Sequence, residues 1–357
     1  METTSVDLGF LEPCEPWLLT NKFFRSKVGG KPAWLELKNL PKPEELLCGQ
    51  CNEPLGFLCQ VYAPIEEKNN SFHRTLYVFV CFTAACNQSP TQDAKTMKVL
   101  RSQLPRQNAF YEYDPPDETT ESPAVKSPVQ LCVVCGCRGP KLCSRCKAVN
   151  YCSAAHQRLD WKATHKSICS EEGTISSSNP EDATNSLLLP QFEIVTEAEE
   201  YEPKAKLSEE ENAKRQMEEL ARLQRKGKAG ALADLPEAEL DKYSADQVED
   251  KTFDKFKARI AADPDQVLRY ERGGKPLWLS PIVPKAVPPC VRCNGPRVYE
   301  FQIMPQLLNS LNNDRLDWGT LVCYTCEASC DIEGYVEEFI FRQDVLNTDT
   351  ARQGVGQ

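Results

Sequence analysis

Cysteine pairs at two-residue spacing recur along this sequence, among them Cys48/Cys51, Cys132/Cys135, Cys143/Cys146 and Cys290/Cys293. Two thiolates one short turn apart make half of a tetrahedral site, so zinc binding is the first chemistry this spacing offers. The densest stretch is Cys132 to Cys169, where the two central pairs are followed by Cys152/His156 and His165/Cys169. Eight donors suffice for two ions. Alternation along so short a chain predicts Cys132, Cys135, Cys152 and His156 around one zinc, and Cys143, Cys146, His165 and Cys169 around the other. The i, i+4 spacing of Cys152/His156 and His165/Cys169 puts each pair on one helical face, as a shared ion requires. Gln157 and Trp161, also four apart, present an amide and an indole side by side.

The pattern resembles the MYND zinc finger, and every ligand position of that pattern is filled, together with its Gln and Trp. The resemblance implies short hairpins and small helices around two interleaved zincs. It also implies a groove lined by Gln157 and Trp161 that takes proline-rich peptides of partner proteins. The alternative is that these two residues complete a small core.

The elements that must hold such ligands are read from the flanks. Leu55 to Tyr62 and Thr75 to Phe82 are aromatic and β-branched runs separated by a polar turn, Glu66 to Ser71, which predicts a hairpin. Cys48 and Cys51 precede its first strand, while Cys81 and Cys86 end its second, so four thiols can meet as in a zinc ribbon. Four buried cysteines acting as small hydrophobes are the competing reading. The same arrangement recurs at the far end, where KVGGKPAWL at Lys27 to Leu35 is answered by RGGKPLWL at Arg272 to Leu279. Cys290 and Cys293 answer Cys48 and Cys51, FLCQVYAP is answered by YEFQIMP, and Cys326 and Cys330 answer Cys81 and Cys86, at an offset of 241 to 245. A register held over some 57 residues marks an internal duplication.

The expected fold is therefore β-rich α+β: two duplicated zinc-ribbon-like half-domains form one β body with pseudo-twofold symmetry, interrupted by the finger and an acidic, partly helical linker. The boundaries are 1–116 for the first half with its four-cysteine zinc site, 117–131 for a linker, with Asp114 to Pro128 reading as flexible, and 132–169 for the finger. An acidic, largely flexible linker follows over 170–250, and 251–357 is the second half with its own four-cysteine zinc site. Gly29/Gly30 and Gly273/Gly274 predict tight turns before a Trp-bearing strand. Leu188 to Val195 reads as a strand that Pro190 confines to an edge. Ser208 and Glu211 form a capping box for a helix to about Lys226. Phe253, Phe256 and Ile260 mark a second, core-facing helix.

Composition limits the function classes. The chain has 357 residues, 41% hydrophobic, enough for several buried cores. Its start, Met1 to Cys14, has no basic run leading into an apolar one, so a reducing compartment, cytosolic or nuclear, is expected for its 18 cysteines. The longest apolar run, Leu76 to Cys86, is too short for a bilayer helix, so no membrane role is expected. The net charge of −10 is concentrated in residues 170–250, with 21 acidic and nine basic side chains. The finger carries seven basic residues against Asp160 alone, an excess that six thiolates and two zinc ions reduce. Direct nucleic-acid binding is disfavoured.

Enzyme activity is not expected. All four ligand sets are filled by protein donors, whereas catalytic zinc keeps a position open. His156 and His165 are taken as ligands, leaving only His73 for acid or base work, and its place beside the hairpin turn suits a structural histidine. The NHS and GEE signatures of SET methyltransferases, some of which carry this finger, are missing. Cys59, Cys137 and Cys323 fit no ligand set.

The duplicated GGKPxWL halves, their cysteine pairs, the finger between them and FQIMPQLL together resemble the programmed cell death protein 2 family over almost the whole chain. That resemblance implies a dedicated chaperone or adaptor in making the small ribosomal subunit. Its client would be the small-subunit protein of the universal S-five family, eukaryotic S-two, met in the cytosol and accompanied toward the nucleus. Some relatives lack the finger, which implies that the client binds the duplicated body. A nuclear corepressor adaptor working through the MYND groove, in proliferation or apoptosis, is the other class.

Overall fold

The computed structural model describes residues 6–88, 95–169, 188–200 and 251–344. It divides into two compact units, one of residues 1–199 with 263–357 and one of 200–262. In the smaller unit the helix Lys251–Ile260 buries Phe256 and Ile260, while Lys257 lies over the Phe253 ring at 4.6 Å. The helix expected after Ser208, and most of the acidic linker with it, lies outside the described residues.

The larger unit is built on a closed barrel. Its strands are β1 (Asp7–Glu12), β2 (Lys27–Val28), β3 (Gly56–Tyr62), β4 (His73–Val80) and β5 (Met97–Leu104), then β8 (Phe192–Ala198), β9 (Leu268–Tyr270), β10 (Arg297–Ile303), β11 (Thr320–Cys326) and β12 (Tyr335–Gln343). The short β6 (Lys141–Leu142) and β7 (Asn150–Tyr151) pair with each other within 132–169. Around the barrel the order is β1-β8-β2-β3-β4-β5-β12-β11-β10-β9, with β9 returning to β1. Two four-strand runs, β2 to β5 and β9 to β12, thus meet edge to edge where β5 pairs antiparallel with β12. Closure leaves neither run with a free edge.

Alternation along the strands makes two cores. Leu76, Val78 and Val80 of β4 face an interior shared with Leu58, Phe301, Ile303, Leu321 and Cys323. Tyr77 and Phe79 face outward under Trp34, Leu37 and Leu40 of the loop after β2. Strands buried on both faces read as continuous apolar runs, and so does the Leu76 to Val80 part of β4. A register shift between Tyr299 and Phe301 is answered by one between Phe57 and Cys59. The first turns Glu300 into the interior, where Arg74 holds it through two bonds of 2.7 and 2.9 Å with both side chains fully buried. Arg74 and Glu300 belong to strands that are not neighbours, so the pair spans the barrel.

Several expectations need correction. β8 starts after Pro190 and pairs on both sides, with β1 and β2, so it is an internal stave and not an edge. The proline lies outside the ladder, where its missing N–H removes no ladder bond. Trp34 sits in an irregular segment, not a strand. Gly29, Gly30 and Gly273 have positive φ, of 69°, 64° and 79°, but Gly274 does not. A Cβ on Gly29 would lie 1.9 Å from the Pro190 carbonyl oxygen, so that turn requires glycine. The connection 117–131 is laid against the body: the Asn21 amide exchanges bonds of 2.9 and 3.0 Å with the Val125 backbone, and Ser127 donates to the Leu37 carbonyl at 2.8 Å. A composition rich in Pro, Glu, Ser and Thr does not exclude order where backbone groups find partners.

Candidate metal centres

Each of the four pairs forms the same tight turn. The N–H of the residue after the second cysteine donates to the carbonyl of the first, Asn52 to Cys48, Gly136 to Cys132 and Asn294 to Cys290 at 2.9 Å, and Lys147 to Cys143 at 3.0 Å. That residue is left-handed in all four, with φ of 60°, 73°, 56° and 54°. Asn and Gly accept this conformation readily, whereas Lys147 adopts it at a cost. The turn folds the chain back so that both thiols point to one side. The first cysteine's N–H then bonds the returning chain: Cys48 to Glu53 and Cys290 to Gly295 at 2.8 Å, Cys132 to Cys137 at 2.7 Å, Cys143 to Val149 at 2.9 Å.

The second donors arrive from the ends of strands and from a helix. Cys81 and Cys86 follow β4, Cys326 closes β11, and Cys330 lies four residues on. In the finger a helical stretch runs from Ala154–Asp160 through one wide turn at Trp161–His165 into Lys166–Ile168. Ser153 caps it by accepting the His156 N–H at 3.1 Å, which fixes that histidine at the first turn.

Four groups result, each with its donor atoms within 4.8 Å of one another: Cys48, Cys51, Cys81, Cys86; Cys132, Cys135, Cys152, His156; Cys143, Cys146, His165, Cys169; and Cys290, Cys293, Cys326, Cys330. Sulfur–sulfur distances are 4.0 Å for Cys48–Cys86, 3.6 Å for Cys51–Cys81 and Cys293–Cys326, and 3.8 Å for Cys290–Cys330. In the finger Cys135–Cys152 is 3.7 Å and Cys143–Cys169 is 3.9 Å. A tetrahedron with zinc–sulfur bonds of about 2.3 Å has edges of about 3.8 Å, whereas a disulfide is about 2.0 Å. All these cysteines are free thiols. His156 faces its thiols through Nδ1 and His165 through Nε2, at 3.1 to 3.7 Å. The donor sets fit zinc.

Their electrostatics agree. Burial opposes ionisation of Cys51, Cys143 and Cys290, yet hydrogen-bond donors outweigh it and bring them down to about 7, 6 and 7. Donors from Cys135 and Cys152 hold Cys132 low. Their companions Cys86, Cys169 and Cys330 are pushed up, by burial first and then by the thiols beside them. One thiolate suppresses the next, and a bound cation relieves that mutual repulsion.

Family models match on both sides of the finger and on the finger itself. Residues 5–118 match the programmed cell death protein 2 N-terminal domain, 132–169 the MYND finger, and 250–344 the programmed cell death protein 2 C-terminal putative domain. Mouse programmed cell death protein 2 is 44% identical over 359 residues, covering 96% of this chain and 97% of the relative. This chain belongs to the programmed cell death protein 2 family. Human programmed cell death protein 2-like is 31% identical over 344 residues, covering 89% and 90%. A fission yeast relative, 26% identical over 374 residues and covering 88% and 91%, is named probable 20S rRNA accumulation protein 4. No solved structure matches.

In this family member the MYND finger is packed against the body. Trp34 Nε1 donates to the Gly136 carbonyl at 2.8 Å, Lys31 Nζ donates to the Val133 carbonyl at 2.7 Å, and the finger cysteines share one buried cluster with Trp34, Leu46 and Phe57. The GGKP and Trp residues are visible in sequence as a repeat, but not as a docking point. Gln157 and Trp161 are both half-buried, with Trp161 edge-on to His165 at 5.8 Å, so each keeps an accessible face.

The four-thiol loops are also held from a distance. Arg101 of β5 donates to the Cys330 carbonyl at 3.1 Å, and Gln103 Nε2 does the same at 3.1 Å. Arg342 of β12 donates to the carbonyl of Asn87, beside Cys86, at 2.7 Å. Sequence reading missed these arginines because nothing local marks them.

His73 stacks on Phe24 at 4.4 Å and bonds Tyr62 through Nδ1 at 2.9 Å, and burial holds it down at about 4. Cys59 and Cys323 lie in the barrel interior, and Cys137 is buried within the finger's own cluster.

Proposed function

We propose that this chain is a non-enzymatic chaperone or adaptor in small ribosomal subunit biogenesis, whose client is the small-subunit protein of the universal S-five family, eukaryotic S-two. The supporting observation is family membership together with the name of the fission yeast relative, which ties that protein to 20S rRNA accumulation. Work with such a client runs between cytoplasm and nucleus.

The architecture suits a rigid carrier. Each of the four donor sets would hold one structural zinc, contributing folding free energy on the order of 10 kcal/mol per ion. With every ligand position filled by protein, the ions stabilise the fold and leave no open position for a substrate. The two barrel halves read as duplicated copies: the strand runs β2 to β5 and β9 to β12 have matching order, and both carry the shift in register. Gln60 Oε1 accepts from the Ala33 N–H at 2.9 Å, as Gln302 Oε1 does from Leu277 at 2.6 Å.

A second reading rests on the accessible pair Gln157 and Trp161, a MYND groove for proline-rich segments of nuclear regulators. Because the finger shares a core with the body, deleting 132–169 would uncover Trp34 and Leu37, so point variants are the proper tool. Full-length chain and Trp161→Ala are purified by affinity from nuclease-treated extract, with partner stoichiometry by mass spectrometry. One small-subunit ribosomal protein near one-to-one in both supports the chaperone. Its absence, with proline-rich regulators lost on Trp161→Ala, sinks that reading and leaves the adaptor.

A further inference from the structure

Lys27 of β2 is 3% exposed. Its neighbours across the ladder are Gln60 and Glu193. Neither serves it. Gln60 accepts the Ala33 N–H at 2.9 Å and donates to the Arg25 carbonyl at 3.0 Å, while Glu193 is taken by Arg25 at 2.5 Å. Among the described residues the ammonium group meets the Phe57 ring, 5.9 Å away, and no acceptor. An amine buried to this extent without an acceptor is costly, and burial alone brings it down to about 7.

The same lysine lines a pocket of about 490 Å³ whose walls include Leu19, Trp34, Leu37, Val125 and Leu188. Several other polar groups around it are already engaged: Thr20 donates to the Trp17 carbonyl at 2.9 Å, Ser127 to that of Leu37 at 2.8 Å, and Lys31 to that of Val133 at 2.7 Å. A lysine ammonium without a protein acceptor among the described residues thus stands at a cavity with largely apolar walls.

We propose that this pocket is a binding site for a small monocarboxylic acid with a short apolar chain, its carboxylate on Lys27 Nζ and its chain against Trp34, Leu37 and Val125. Lys31, the other lysine on the pocket wall, is exposed and donates to the Val133 carbonyl, so Lys27 supplies the one buried ammonium for a carboxylate. The volume lies within the range of small-molecule sites. Ligand binding here would tie β2, the 117–131 connection and the lead into β8 together.

The test uses the full-length, zinc-loaded protein and isothermal titration with octanoate, with octanol as the uncharged control. Octanoate is expected to bind one-to-one, at least about tenfold more tightly than octanol, the scale of a charge-assisted hydrogen bond. Lys27→Met, which keeps the volume, should remove that preference with zinc content unchanged. Equal affinities for the two probes, no saturable octanoate binding, or a preference that survives in Lys27→Met overturns the assignment. If Lys27→Met fails to retain zinc, the comparison of the two probes on the unaltered protein decides alone.

Discussion

Arg101 touches Cys330 twice, donating to its carbonyl at 3.1 Å and to its thiol at 3.6 Å. Arg101 lies on β5 and Cys330 in the loop after β11, so one half of the barrel holds a candidate metal ligand of the other. Arg342 on β12 makes the reciprocal contact through the Asn87 carbonyl. The two four-cysteine loops are thereby coupled through the β5–β12 seam.

Arg101→Met should loosen the Cys290 set selectively, and Arg342→Met the Cys48 set. Cadmium-113 NMR of the cadmium-substituted protein separates four-sulfur from three-sulfur sites, and chelator challenge should release one four-sulfur resonance at least about tenfold faster in each variant. The same resonance affected in both, or all four together, would contradict the cross-half clamp.

Arg74 and Glu300 form a fully buried bidentate pair, Glu300 being held below the ordinary carboxylate range against its burial. Arg74→Met alone should cost up to about 3–5 kcal/mol, because the buried Glu300 is left with only the Arg272 guanidinium, 3.2 Å away. The double variant Arg74→Met/Glu300→Leu should be less damaging than the single one. Urea unfolding midpoints measure both, and a double variant worse than the single would reject the argument.

His73 is held neutral by burial, its proton affinity lowered to about 4. The unfolded chain binds that proton near pH 6.5 and the folded one only near 4, so the stability His73 confers is complete above pH 6.5 and lost as pH falls toward 4. Replacing it with Phe, which can keep the stack on Phe24, should flatten this part of the profile. Thermal unfolding of both proteins between about pH 7 and pH 5 gives the difference, and parallel profiles would refute it.

Lys147 bears the strain of its left-handed turn where Gly136 does not. Lys147→Gly should therefore be neutral or stabilising by up to about 1 kcal/mol, while Asn52→Ala and Asn294→Ala should each cost about 1 kcal/mol. Chemical denaturation with zinc content monitored is the check. A destabilising Lys147→Gly would show that its side chain matters more than its backbone.

Residues close in sequence, with chemistry fixed by their type, were readable without coordinates. The sixteen donors fall into the same four groups in space that spacing and repetition suggested, because a CxxC turn needs only local hydrogen bonds. Likewise the hairpin of β3 and β4 follows from apolar runs around a polar turn, within a residue or two at each end.

Barrel closure was not readable. β1 and β8 complete the ring only because distant segments meet, and the two-residue β2 carries no signal of its own. The side-chain contacts that arise from closure, Arg74 with Glu300 and Arg101 with Cys330, join positions more than two hundred residues apart. Tertiary structure also decided that Lys27 has no acceptor among the described residues, since its ladder neighbours Gln60 and Glu193 had every chemical means to serve it. Donor type and spacing act over a few residues and are written in the chain; which buried charge finds a partner depends on where every other chain segment comes to rest.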